Sequence, residues 1–251
     1  MKQLIRFKSA AMAAMATLLF ATPAQAQDAI TEFGLFNHLS VGLTFGTTGL
    51  GIDVAAPLNN FLQVRAGYNH FSGFTYSEDI DYRAKGKKER GHTKAEGKNY
   101  MSTAHLLFDA YPFPKVPFHA TAGFYYGTDE IVKIENTIPV KDFDPGEGIA
   151  IGDYIVEFDK DGYGHGAIKV NKFRPYLGIG YGRAVPRKRI GVSGDLGVMF
   201  WGKPRVYEKQ TGTDQEAFRD DFGPESDKYY DVISKFPVWP VLTIRITGRI
   251  F

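Results

Sequence analysis

From Phe173 to Phe200 the chain alternates with a period of two. Phe173, Leu177, Ile179 and Tyr181 share one side of an extended backbone, and Arg174, Tyr176, Gly178, Gly180 and Gly182 share the other. The next run repeats the pattern, with Ile190, Val192, Leu196, Val198 and Phe200 opposite Ser193, Asp195 and Gly197. The same alternation marks residues 38–46, 50–55, 61–74, 100–111, 117–133 and 237–251, which makes eight strands. A water-soluble sandwich would bury its apolar face and cover the other with charge. Here the second face is rich in glycine and sparing in lysine, which predicts a barrel with an apolar exterior and a polar interior.

The connections alternate in length. Pro57-Leu58-Asn59-Asn60, Tyr111-Pro112-Phe113-Pro114 and a short basic connection after Gly182 are tight, whereas residues 75–99, 135–163 and 207–236 are long and hydrophilic. Gly46-Thr47-Thr48-Gly49 adds a tight reversal at the rim that carries the long segments. Residues 75–99 lose the alternation and read as an exposed loop, while residues 149–156 suggest a hairpin inside the second long segment. The expected fold is all-β: an eight-stranded antiparallel transmembrane up-and-down β-barrel with three long extracellular loops. Lipid tolerates no open sheet edge, so the eighth strand is expected to close on the first.

The first 26 residues read as a secretory leader. Lys2, Arg6 and Lys8 precede the apolar stretch from Ala10 to Ala21, and Ala24-Gln25-Ala26 forms an A-x-A cleavage site. Residues 27–37 are then a periplasmic lead and 38–251 the barrel. Without the leader's three cations, the 30 Lys and Arg fall to 27 against 28 Asp and Glu. That balance gives no support for a nucleic-acid partner. The sequence contains no cysteine, which excludes disulfides and thiolate metal sites. Outside the leader no apolar run approaches the roughly 18 residues of a spanning helix.

The polar faces of the strands carry Asp53, Arg65, His105, Asp109, His119, Arg174, Asp195, Arg245 and Arg249, which are therefore the candidate lumen-facing groups. An eight-stranded barrel is only wide enough for its own side chains, so opposite charges within it are expected to pair, Arg65 with Asp195 among them. Glycines on the same face, at 51, 67, 123, 178, 180, 182 and 197, either open a narrow solute path or make room for the large side chains opposite. His105, His119 and Asp109 invite a catalytic reading, but no serine motif accompanies them and no catalytic residue is assigned. Glu157-Phe158-Asp159-Lys160-Asp161-Gly162 matches half of a calcium loop, yet its twelfth position is Ile168 rather than a bidentate glutamate. A hairpin tip explains the Asp-Gly pair better, and no metal or cofactor is expected. The basic tract from Lys85 to Arg90 is a candidate contact for lipopolysaccharide phosphates.

From about Val41 onward the chain resembles the family of small outer-membrane barrels that includes the carbapenem-associated outer-membrane protein, an ornithine-uptake porin. The resemblance is carried by Gly46-Thr47-Thr48-Gly49, Tyr68-Asn69, Pro175-Tyr176-Leu177-Gly178-Ile179-Gly180, and Asp195-Leu196-Gly197 followed by Gly202-Lys203-Pro204-Arg205-Val206. Phe251 is the expected terminal aromatic, but Arg249 and Thr247 depart from the usual assembly signal before it. The resemblance implies an outer-membrane location, contact with lipid, lipopolysaccharide and the barrel assembly machinery, and a narrow channel or binding protein for small cationic solutes such as basic amino acids. The contrasting expectation is a closed structural or surface-interaction barrel whose extracellular loops bind partners. Either reading requires export, so the mature N-terminus is expected at Gln27. Mass spectrometry of the purified protein checks this, and an intact Met1 would contradict it.

Overall fold

The computed structural model describes residues 33–84, 87–113, 115–151, 154–210, 213–217 and 237–251. The leader, most of the lead and most of the third long segment lie outside the described residues. Every named element is a strand: β1 (Ser40–Gly46), β2 (Gly49–Asn59), β3 (Leu62–Ala84), β4 (Gly91–Ala110), β5 (Phe118–Gly127), β6 (Glu130–Asn136), β7 (Glu147–Ile151), β8 (Tyr154–Glu157), β9 (His165–Lys169), β10 (Phe173–Tyr181), β11 (Ile190–Phe200), β12 (Arg205–Gln210), β13 (Thr213–Ala217) and β14 (Val238–Arg249).

Eight of these close into an antiparallel barrel in the order β1, β2, β3, β4, β5, β10, β11, β14. The seam runs from Ser40 opposite Arg249 to Gly46 opposite Thr243. Register follows from the pleat, because a slip by one residue would turn every apolar side chain inward. All eight strands put large apolar groups outside, among them Leu43, Ile52, Tyr68, Phe108, Phe118, Leu177, Leu196 and Ile246. Such a belt far exceeds the apolar patches that soluble monomers expose. Six of the barrel strands are 7 to 12 residues long, close to the 9–11 or so that a tilted spanning strand needs.

The other two do not stop there. β3 has 23 residues and β4 has 20, and they stay paired from Leu62 opposite Ala110 to Tyr82 opposite Gly91. The residues read as an exposed loop, 75–99, are therefore mostly a β-hairpin that continues the barrel wall outward. A register shift between Ser72 and Thr75 marks the transition, where the Asn99 side chain accepts the Phe74 N–H at 3.0 Å. The alternation is missing because this hairpin leaves the apolar belt and has no buried face along most of its length.

The hairpin seeds a second sheet. β6, β9, β12 and β13 add in turn to the outer part of β4, while β7 and β8 add to the tip of β3. The strand expected over 117–133 accordingly breaks after Gly127, and β6 leaves the barrel to pair with β4. The hairpin expected over 149–156 is β7–β8. The Glu157 N–H donates to Glu208 Oε1 at 2.6 Å, so β8 meets β12 and the sheet curls around Ala95, Ile149, Val156, Ala167 and Val206, all buried. At the half calcium loop, Asp159 Oδ1 accepts the N–H groups of Asp161 and Tyr163, each at 2.9 Å, and Gly162 takes φ 81°. These bonds make a hairpin tip and use the carboxylate internally.

At the outer tip Arg90 donates to Asp144 at 2.9 Å and to Glu147 at 2.6 Å, so this member of the basic tract serves the sheet itself. The hydrogen bond from Arg90, with a further one from the Asp144 N–H, holds the Glu147 carboxyl below its ordinary pKa. A carboxyl depressed in the folded state contributes stability above its unfolded pKa, about 4.3 for Glu, and loses it as pH falls through the folded value. Amide protection in β7 is therefore expected to drop, relative to the barrel strands, once the pH falls below about 4. Arg90→Ala is expected to lower it already at neutral pH. Hydrogen exchange followed by mass spectrometry checks both, and β7 protection that tracks the barrel strands throughout would contradict the claim.

Candidate functional site

Inside the barrel the side chains form three zones. The middle zone is ionic. Arg65 lies between two carboxylates, at 2.8 Å from Asp109 and 2.9 Å from Asp195. Asp195 also meets His119 Nε2 at 2.9 Å, and Asp109 accepts the Thr121 hydroxyl at 2.8 Å. Over the inner face of β1, Arg245 of β14 grips Asp53 of β2 through Nε at 2.7 Å to both oxygens. All of these groups are buried. Each sits where the pleat aims it: Gln63, Arg65 and Asn69 follow one another on the inner face of β3, as do Thr103, His105, Leu107 and Asp109 on β4.

The outer zone is apolar. Met101, Leu107, Tyr125, Val170, Tyr176, Met199, Trp201 and Val241 form one buried cluster, with Phe71, Ile131 and Trp239 against it. The rings of Trp201 and Trp239 lie 4.8 Å apart, and Tyr125 meets Tyr176 edge to face at 5.5 Å. His105 belongs to this packing through Tyr125, at 5.3 Å. Arg174 is fully buried here, and its hydrogen bonds go to the carbonyls of Asn171 (2.7 Å) and Thr128 rather than to an acid of the middle zone. It ties the end of β5 to the approach to β10.

The third zone, at the end of the barrel where β10 turns into β11, is not legible in the sequence as such. The connection between β10 and β11 reads as a short basic turn, but its first half folds into the barrel. Gly182, at φ 109° and against the backbone of Ser193, makes the sharp bend that a side chain would block. Ala184 and Val185 are then buried beside Phe33 and Ala55. Val185 N–H donates to Gln63 Oε1 at 2.9 Å and Ala184 N–H to Tyr111 Oη at 3.1 Å, while the Ala184 carbonyl accepts from Ser40 at 2.8 Å and Arg245 at 2.7 Å. Arg183 closes the opening between Tyr111 and Phe33, at 4.5 and 5.3 Å from the ring centres. The only sequence signal for this plug is the apolar Ala184-Val185-Pro186 set within a basic turn.

Glycines on the inner face supply the room. A side chain at Gly42 would strike the Arg245 guanidinium, and one at Gly178 or Gly197 would strike the Tyr176 hydroxyl. Of the two roles open to these glycines, they accommodate bulky partners rather than open a path. Between the ionic groups lies a cavity of about 10 Å³, lined by Thr44, Asp53, Arg65, Asn69, His105 and Asp195 with four neighbours. That is space for about one water molecule. Arg249 lies half-buried at the end of the barrel that carries the β10–β11 turn, where its N–H donates to the Arg189 carbonyl at 2.8 Å.

This arrangement limits the chemistry. His119 and Asp109 are enclosed, so no external substrate reaches them through the described packing. The ligand atoms of Asp109, His119 and Asp195 lie within 4.8 Å of one another, a spacing open to a cation. Arg65 already bridges the two carboxylates, and a metal ion would have to displace its guanidinium into a closed interior. The set fits an ion-pair network and not a metal centre.

No protein-family model matches the chain, and no curated protein matches it. Among solved structures it is similar to CarO2 of Acinetobacter baumannii, with 17% identity over 84% of this chain and 98% of that one and a TM-score of 0.49. It is also similar to CarO of Acinetobacter baumannii, with 17% identity over 86% and 99% and the same TM-score. A major outer membrane protein from Thermus thermophilus matches with 16% identity over 84% and 98% and a TM-score of 0.41.

The ionic zone predicts a large cost for removing one partner. Asp195→Ala leaves Arg65 and His119 short of an acceptor in a dry interior, and is expected to destabilise the barrel by about 3–5 kcal/mol. Urea unfolding of detergent-folded protein measures this. Equal stability of the wild type and the variant would contradict it.

Proposed function

We propose that this chain is an outer-membrane β-barrel closed to solutes, whose activity resides in the curled extracellular sheet that β3 and β4 carry beyond the membrane. The apolar belt on all eight strands supports the membrane location. The observation that carries closure is the filled interior: an apolar cluster at the outer end, ion pairs in the middle and a folded-in turn at the periplasmic end. A narrow path for basic amino acids would have to cross the span between Asp53 and Asp195, and the room there is about 10 Å³. Partner contact belongs instead to the outer sheet. Beside the β3–β4 tip lies a cleft of about 440 Å³, lined by Asp79, Tyr82, His92, Lys94, Lys141 and Asp142 with four uncharged neighbours. It offers both signs of charge to a polar ligand.

Conductance across planar bilayers tests closure directly. Wild-type protein is expected to leave the baseline unchanged. Removing the plug alone, by replacing Arg183–Pro186 with a glycine turn, is also expected to give no steps, because the outer apolar cluster still blocks the path. Large, stable steps from folded wild-type protein would overturn the proposal in favour of a channel.

A further inference from the structure

Among the described residues, the side chains of the periplasmic rim carry charge of one sign. Its described segments are residues 33–39, the turns around 56–61, 110–117 and 182–190, and the end of β14. Together these hold Lys115, Arg183, Arg187, Lys188, Arg189 and Arg249, and no Asp or Glu. Asp28 and Glu32 of the lead lie outside the described residues. Arg183 is committed to the plug, as described above. Lys115, Lys188 and Arg189 are exposed, and Arg187 and Arg249 half-buried.

These cations are neighbours in space. The Gly182 N–H donates to the Pro117 carbonyl at 2.9 Å, which sets the 110–117 turn against the 182–190 turn, and the Arg249 N–H donates to the Arg189 carbonyl at 2.8 Å. The strip therefore spans three consecutive elements of the barrel wall. Beside it stand outward apolar side chains: Ile190 (71% exposed), Val116 (44%), Phe118 (36%) and Ile250 (61%). Long cationic side chains in that position keep their stems on hydrocarbon and their heads at the phosphates. The outer end of the barrel differs, for there Lys172 faces Asp129 at 3.7 Å and the charges are mixed.

We infer that this rim is a docking surface for anionic phospholipid headgroups of the inner leaflet, with Lys115, Lys188 and Arg189 as the contacting groups. The commitment to lipid follows from the apolar side chains that flank the strip, since a soluble phosphate needs none. It gives the two halves of the 182–190 turn complementary tasks, in which Ala184 and Val185 fill the barrel while Lys188 and Arg189 hold the turn to the membrane surface. A cation next to an anionic bilayer is worth about a fivefold preference, so three together give a selectivity well above background. The inference rests on the membrane location proposed above.

The test uses full-length mature protein inserted into vesicles of equimolar phosphatidylcholine and phosphatidylglycerol, then extracted gently. Mass spectrometry reads the ratio of the two lipids that stay bound. Wild-type protein is expected to retain phosphatidylglycerol severalfold over its share, less so as sodium chloride is raised, and inorganic phosphate is expected not to displace it. The triple substitution K115Q/K188Q/R189Q changes only exposed side chains and is expected to return the ratio to that of the vesicle. Folding of each protein is checked by its shifted migration on unheated gels. A wild-type ratio equal to the bulk, an unchanged ratio in the folded variant, or displacement by inorganic phosphate would each overturn the inference. Failure of wild-type protein to insert at all would instead overturn the membrane location on which it rests.

Discussion

A guanidinium inside a closed, packed barrel has little water to fall back on, and Arg65 is in that position. Its contacts with Asp109 and Asp195 are what make the middle of this barrel tolerable. Taking such charges out of water costs several kcal/mol per ion, so each must be matched at close range or the strands that carry it will not close. One match is local and one is long-range, since Arg65 is on β3, Asp109 on the adjacent β4 and Asp195 on the distant β11. His119 of β5 and Thr121 beside it extend the same network. Asp53 and Arg245 join β2 to β14 over the intervening β1, next to the seam. Ion pairing thus does across the lumen what the hydrogen-bonded ladder does around it.

The two ends are closed by different means. At the outer end the solution is apolar packing, built on Tyr176, Met199 and the two tryptophans. At the other end it is a polar latch, in which the backbone of Ala184 and Val185 takes four hydrogen bonds from or to side chains of the barrel wall. Arg245 takes part in both the middle zone and the latch. The plug and the ion pairs are therefore one connected structure, and loosening either exposes the other to water.

The barrel is legible because an apolar exterior on one side and a narrow polar interior on the other impose a strict period of two. Leu177, Ile179, Leu196 and Val198 announce their face without any knowledge of partners. The polar extension of β3 and β4 escapes because its residues face water for most of its length, so Ser77, Glu78 and Asp79 look the same in a strand as in a loop. The inward turn escapes for another reason. Arg187, Lys188 and Arg189 dominate its composition, and nothing local says that Ala184 and Val185 bend the other way. That bend depends on Gly182 and on acceptors and donors far along the chain, such as Gln63. The same distance hides most partners of the lumen charges: the phase of Arg65 points to Asp195, but nothing local shows that the guanidinium is shared with Asp109. Arg174 shows the limit most clearly, because its phase points inward while its partners are backbone carbonyls that no side-chain pattern reveals.

The central claim is that the interior is a packed core sealed at both ends, and the absence of cysteine from the sequence allows a direct measurement. Thr103→Cys and Thr243→Cys place a thiol at buried inward positions with little change of shape, and Ser77→Cys places one on the exposed outer hairpin. Folded protein in lipid vesicles is treated with a small, charged, water-soluble thiol reagent, and labelling is followed by mass. Closure predicts rapid modification of Ser77→Cys and none of Thr103→Cys or Thr243→Cys until the barrel is unfolded. Modification of either inward thiol in the folded barrel, at a rate near that of the exposed control, would contradict it.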